Sequence, residues 1–322
     1  MGGSRTVMPV SARTDPTGRP GLCSTFCRQL AEPLPGTAVV ATGWVVVEQP
    51  GPWGAKAATQ SHLDPEFGGW INDACKKADL RFGLIRSPGK HADATPRAHQ
   101  VFVASTVPGN SWLLGGCVAD PVELASLDLD AVRRGDRAAV IASCPELAPV
   151  TQSVLLVCTN GKRDECCALL GRPIVTALSE VAPGRVWEAD HLGGHRFAPT
   201  ATLLPAGTMH GHLDLELATT VLAAADRGET VLTKLRGRTT WSKRGQVAEI
   251  AVRHLIGETG LDSLGVIAEN LETVTVSHVD GRTWTVPVTS ESANPPRPDS
   301  CGKDPFAMPI LRAGTVTQGA LS

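Results

Sequence analysis

The stretch that most constrains the fold is SVLLVCTNGKRDECC, residues 153–167. Its first part, 153–158, is a short apolar run bounded by turn residues, the pattern of a buried strand. Gly161 permits a tight loop, and Asp164 is a good N-cap for a helix that runs to about residue 181, past Gly171 and Pro173. Cys158 therefore ends a strand, while Cys166 and Cys167 fall in a first helical turn. There the helix dipole and the charges of Lys162 and Arg163 favour thiolate, the form of cysteine that binds metal. Adjacent cysteines are not expected to face the core together, which sets this doublet apart from Cys75, Cys117 and Cys144, read as small buried hydrophobes.

The segment HLGGHRF, 191–197, follows the strand VWEAD. His191 and His195 have the i, i+4 spacing of the zinc motif H-E-x-x-H. No Glu follows the first histidine, however, and Gly193-Gly194 would weaken a helix. A glycine-rich loop that turns both imidazoles inward fits better, and a metalloprotease is set aside. His62, His91, His99, His254 and His278 are read as ordinary histidines, and His210 and His212 as strand residues facing solvent.

Strands are expected near 44–48, 81–86, 100–105 and 111–118, with a helix over 66–77 and another capped by Asp120. After 153–158 and its helix come strands near 185–189, 199–204 and 209–213 and a helix over 217–225. Both halves read β-α-β-β-β-α, the element order of a thioredoxin-like α/β fold. The expected fold is two thioredoxin-like units with a C-terminal helix-hairpin extension. Its parts are a disordered leader (1–20), a degenerate N-terminal unit (21–150), a second unit (151–230) and the extension (231–322). The extension is read as an amphipathic helix over 244–256 with Val247, Ile250, Ala251 and Leu255 on its apolar face, then a hairpin over 271–288 turning at Asp280-Gly281. A Pro-rich strap around Cys301 closes the chain. In a thioredoxin-like unit the loops after the first and second strands lie at one end of the sheet. Cys158, a cysteine of the doublet, His191 and His195 can then share one metal site.

Composition narrows the function. A formal charge of −2 with no basic run argues against nucleic acid as a partner, as do the lack of tyrosine and an aromatic content of 4%. No run approaches the roughly 18–20 apolar residues that span a bilayer. The polar, Pro/Gly-rich N-terminus lacks a signal peptide's apolar core, and Gly2 lacks the context for myristoylation. A cytoplasmic protein is expected. Nine cysteines, an odd number, do not suggest a disulfide framework. Cys23 and Cys27 share a face of a short helix over 22–33, and together with Cys301 they are read as buried cysteines rather than a second site.

CTNGKRDECC, HLGGHRFAPT with LLPAGTMHG, LRGRTTW and PPRPDSCG resemble the sucrase/ferredoxin-like family, as do CSTFCRQLAEPLPGTA and VEQPGPWGAKA upstream. The resemblance runs from about Cys23 to Cys301. It implies a thioredoxin-like ferredoxin domain over 151–230 whose [2Fe–2S] cluster is held by Cys158, Cys167, His191 and His195. It also implies that Cys167, not Cys166, is the second sulfur ligand. Asn160 stands where the family tends to carry histidine, but that position is not a ligand. No carboxylate pair suited to glycoside hydrolysis accompanies the family's "sucrase" label.

With two neutral imidazoles in place of two thiolates, such a cluster accepts an electron more readily, toward the roughly −150 to +300 mV of Rieske centres. Arg196 is placed to tune it by charge. An electron carrier serving an unidentified redox partner protein is expected rather than a stand-alone catalyst, since no G-x-G-x-x-G fingerprint follows a strand. The N-terminal half, without matching ligands, would be a scaffold or docking surface. Two rivals use the same residues: a structural zinc site on the Cys₂His₂ set, and a thiol redox enzyme with Cys166 or Cys167 as nucleophile.

Overall fold

The computed structural model describes residues 21–89 and 97–319, so the expected leader over 1–20 and His91 lie outside the described residues. The chain opens with α1 (Cys23–Gln29), β1 (Gly43–Glu48), α2 (Pro65–Lys77), β2 (Leu80–Arg86), β3 (His99–Ser105) and β4 (Trp112–Val118). Then come α3 (Leu129–Arg134), α4 (Arg137–Ser143) and the short β5 (Ala148–Pro149). The next run is β6 (Val154–Cys158), α5 (Glu165–Val181), β7 (Val186–Ala189), β8 (Ala201–Leu204), β9 (Thr208–His210), α6 (Leu215–Ala225) and β10 (Leu235–Arg238). The last elements are α7 (Lys243–Ile256), β11 (Leu264–Glu269), β12 (Thr273–His278), β13 (Thr283–Ser292), β14 (Pro309–Ala313) and β15 (Thr317–Gln318). The molecule is thus a mixed α/β protein with two sheets.

Local chemistry sets the helices. Asp64 caps α2 by accepting from Phe67 N at 2.8 Å, with Pro65 at its first position, and Phe67, Ile71 and Cys75 at four-residue spacing bury one face. Asp214 caps α6 in the same way through Leu217 N at 2.8 Å. The helix expected after Asp120 is a 3₁₀ helix, Pro121–Ser126, closed by a capping box with Glu123. Pro173 does not break α5: the carbonyl its ring deprives of a partner belongs to Leu169, a residue that is 50% exposed.

Ten strands form one sheet in the order β10-β9-β8-β6-β7-β2-β1-β3-β4-β5. Within each half the pairings match: β1–β2 and β6–β7 are parallel, and β1–β3 and β6–β8 antiparallel. The order reads alike outward from the β7/β2 seam in either direction. That seam pairs only Ile85 with Ala189 and Arg86 with Glu188. Side chains reinforce it. Arg86 donates from Nη2 and Nε to Glu188 Oε2 at 2.8 and 3.1 Å, Thr159 Oγ1 donates to the same oxygen at 2.6 Å, and the guanidinium lies 4.1 Å over the Trp53 ring.

Strand alternation divides the core. Val45 and Val47 pack with α2 residues on one face, and Leu155 and Val157 pack with α5 and α6 on the corresponding face of the other half. The intervening residues Trp44, Val46, Ile85, Val154, Leu156 and Cys158 make a single layer across both halves, which also holds Cys23, Cys166 and Cys167. The second sheet, β11-β12-β13-β14 with β15 on β13, packs against α7. β11 adds a strand to the expected hairpin, and β14 and β15 follow the strap. Leu255 is exposed; Val252 is buried in its stead.

The seam yields a stability prediction. Arg86→Met removes the guanidinium from a buried ion pair and is expected to cost about 3–5 kcal/mol in denaturant unfolding. Arg133→Met, in the exposed pair with Asp130, is expected to cost at most about 1 kcal/mol. Equal losses would contradict the seam's role.

Candidate metal centre

Cys158 stands on the strand end that faces the shared core layer, its Sγ 3.8 Å from Asp190 O. Behind it, α5 approaches so closely that a Cβ on Gly171 would come within 2.5 Å of Cys158 O. Glycine at that position lets the helix start lie beside the strand end. The connecting loop is pinned by Asn160, whose Oδ1 accepts from Lys162 N and Arg163 N at 3.0 and 3.3 Å while Nδ2 donates to Gly54 O at 2.9 Å. Asp164 caps α5 by accepting from Cys166 N at 3.0 Å.

The opposite wall is the histidine loop. Gly193 and Gly194 sit at φ of 81° and 75°, the left-handed region that side chains avoid. A Cβ on Gly194 would also lie 2.3 Å from Arg236 Nη2. Arg236 is buried under this turn, donating from Nη1 to Gly193 O and from Nε to Thr37 Oγ1, both at 3.0 Å. Arg81 Nη2 donates to His191 O at 3.2 Å. The turn folds the two imidazoles onto each other, with ring centroids 4.8 Å apart and planes inclined at 28°. His195 Nδ1 lies 3.5 Å from Cys167 Sγ, and Asp164, Cys167 and His195 present donor atoms within 4.8 Å of one another.

Electrostatics leave this set ready for a cation. Burial, then the neighbouring His195 and Arg81, pushes His191 down to about 3. Burial also lowers His195. Both rings are neutral at physiological pH. The neighbouring Cys167 thiol lowers Cys158, and Cys158 together with burial raises Cys167; Leu192 and Asn160 backbone groups further favour the Cys158 thiolate. Burial lifts Asp190 to about 6. His191 Nδ1 is buried and has no hydrogen-bond partner among the described residues. An orphaned imidazole nitrogen on a ring stacked against His195, whose own Nδ1 lies 3.5 Å from Cys167 Sγ, suits a metal group with mixed sulfur and nitrogen ligation.

The structure brings Cys167 and His195 together with Asp164, stacks His191 on His195 and packs Cys158 in the same core layer as Cys167. It also departs from the sequence reading. Cys166 and Cys167 are both fully buried, because one turn of α5 aims them into different interior spaces. Cys117 is exposed. His210 is buried, not solvent-facing, since both faces of the sheet are covered there; its Nε2 lies 3.0 Å from Val231 O. Arg196 pairs with Glu32 at 2.7 Å and lies 4.4 Å from the Phe197 ring centroid. Cys23 and Cys301 meet Cys166, whereas Cys27 points to His212 at 3.8 Å. Arg81 and Arg236 were not singled out; LRGRTTW carried the only signal for Arg236. Among the described residues no helix is long and apolar enough to cross a membrane.

The buried histidines generate a pH prediction. Unfolded, each takes up a proton near pH 6.5; folded, His191 holds out to about 3 and His210 to about 4. The unfolded chain thus binds more protons as pH falls below 6.5, and stability is lost from there toward 4. The denaturant midpoint of the metal-free chain should drop between about pH 7 and pH 5, less steeply in His210→Gln. A midpoint that is flat or rises on acidification would contradict this.

Comparison with known proteins places these features. No curated protein and no solved structure matches the chain. The sucrase/ferredoxin-like family matches residues 34–237, a span holding both cysteines, both histidines and Arg236. The chain belongs to the sucrase/ferredoxin-like family.

Proposed function

We propose that Cys158, Cys167, His191 and His195 hold a [2Fe–2S] cluster and that the protein is a cytoplasmic electron carrier serving a redox partner protein. The observation that carries this reading is the buried His195 Nδ1 3.5 Å from Cys167 Sγ, with the His191 ring stacked on His195 and its buried Nδ1 without a hydrogen-bond partner among the described residues. The strand order β7-β6-β8-β9, repeated as β2-β1-β3-β4, supports a thioredoxin-like ferredoxin unit and a degenerate copy of it. Nine free cysteines suit a reducing compartment.

When bound, the cluster supplies one-electron redox chemistry. The residues determine its setting. Burial keeps both imidazoles neutral, so the ligand set carries the charge of two thiolates only. That favours the reduced state relative to an all-cysteine set and directs the potential toward roughly −150 to +300 mV rather than about −400 mV. With Nδ1 of His195 turned to Cys167, its Nε2 is left to carry a proton, and reduction makes that nitrogen more basic. Arg81 and Arg236 fix the loop from outside through backbone carbonyls. His191 is only partly buried and lines a cleft of about 860 Å³ with Lys56, Lys76, Arg81, Arg163 and Asp190. A partner seated in that cleft would reach the site through the His191 ring.

Two measurements test the reading. Anaerobically purified protein is expected to be red-brown and, after dithionite reduction, to give a rhombic EPR signal. Both features should disappear in His191→Ala, His195→Ala, Cys158→Ser and Cys167→Ser but persist in Cys166→Ser. A colourless protein with zinc bound by the same residues would overturn it in favour of a structural site. In a redox titration, the midpoint should fall as pH rises between about 6 and 10, as the imidazoles release their protons. A flat potential over that range would contradict histidine ligation.

A further inference from the structure

A second group of sulfurs lies beside the first, built from parts of the chain that share no local pattern. Cys23 opens α1, Cys166 lies in the first turn of α5, and Cys301 sits in the turn before β14. Their sulfurs form a triangle: 3.4 Å between Cys23 and Cys166, 3.0 Å between Cys166 and Cys301, and 3.6 Å between Cys301 and Cys23. None is in a disulfide. Cys23 and Cys166 are fully buried, and Cys301 is half-buried at the outer edge.

The surroundings hold the triangle in place. Asp164 Oδ2 accepts from Cys301 N at 2.8 Å and Ser300 Oγ at 2.7 Å, its Oδ1 accepts from Cys166 N at 3.0 Å, and both oxygens lie within 3.9 Å of Cys23 Sγ. Ser24 Oγ donates to Cys166 Sγ at 3.3 Å. Each carboxylate oxygen has more than one lone pair, so these bonds leave Asp164 able to bind a cation. Its carboxylate and the three sulfurs all lie within 4.8 Å of one another.

Thiol–thiol hydrogen bonds are weak, and three sulfurs converging on one carboxylate are the donor set of a single shared ion. Sulfurs bound to one tetrahedral zinc at about 2.3 Å stand about 3.8 Å apart, close to the spacings here. Sulfurs this near to each other share one ion rather than reach separate irons of a cluster.

We propose that Cys23, Cys166 and Cys301, with Asp164 as the fourth ligand, bind one thiophilic divalent cation of the zinc type. This site is distinct from that of Cys158, Cys167, His191 and His195 and does not rest on the iron–sulfur reading of that site. The ion fastens α1 and the C-terminal segment to the start of α5, the turn that also carries Cys167. The half-buried Cys301 side gives it an entry path.

The test is metal analysis of the full-length protein from zinc-supplemented cells, together with Co²⁺ as a spectroscopic probe. Wild type should carry about one zinc per chain. Cys158→Ser/Cys167→Ser should keep that zinc and show thiolate-to-cobalt absorption on exchange. Cys23→Ser/Cys301→Ser should lose the zinc and the cobalt band at least tenfold while keeping whatever visible spectrum the other site gives. A wild-type chain and a Cys158→Ser/Cys167→Ser chain that both fail to bind zinc or cobalt would overturn the proposal. So would loss of the wild-type visible spectrum in folded Cys23→Ser/Cys301→Ser, or a disulfide among the three cysteines in the freshly purified chain. If the double variant does not fold, alkylation of Cys301 in wild type decides instead. Zinc should protect Cys301 and a chelator should expose it, and equal labelling would overturn the site.

Discussion

The carboxylate of Asp164 is the point on which the cysteine-rich end of the molecule depends. It caps α5 through Cys166 N, accepts from Ser300 Oγ and Cys301 N, and stands within 4.8 Å of donor atoms from both sulfur groups. A buried carboxylate is tolerated only when its oxygens are engaged, and here the helix start and the returning C-terminal segment engage them. Because Cys166 and Cys167 are consecutive in that first turn, fixing the turn orients one sulfur toward His195 and the other toward Cys23 and Cys301.

The large sheet supplies the frame. Its two halves repeat one strand order and meet at a seam of two paired positions, where backbone pairing alone would be thin. The buried Arg86–Glu188 pair, joined by Thr159 and stacked on Trp53, makes that seam specific. Thr159 directly follows Cys158, so the seam and the strand-end cysteine are adjacent parts of one structure. The continuous apolar layer from Trp44 to Cys158 then keeps the site dry on its inner side.

Much of this was legible locally. The apolar run before Cys158, the Asp164 cap and the Gly193-Gly194 turn each express a short-range rule, and strand, helix and inward-facing histidine loop follow where those residues stand. The rest depends on distant partners. Cys23 and Cys301 lie 143 and 135 residues from Cys166, so no periodicity links them, and each alone looks like an ordinary buried cysteine. His210 looked like a solvent-facing strand residue because alternation cannot reveal that a second layer covers the outer face. Arg236 gave no signal of its own, since its role is to fill the space that Gly194 leaves open.

Pulsed EPR of the dithionite-reduced protein, read for nitrogen hyperfine coupling, tests the central claim most directly. Two strongly coupled imidazole nitrogens are expected in the wild-type chain, from His191 and His195. A reduced centre with no directly coordinated nitrogen would contradict the Cys₂His₂ assignment, and a protein with no paramagnetic centre would contradict the iron–sulfur reading itself.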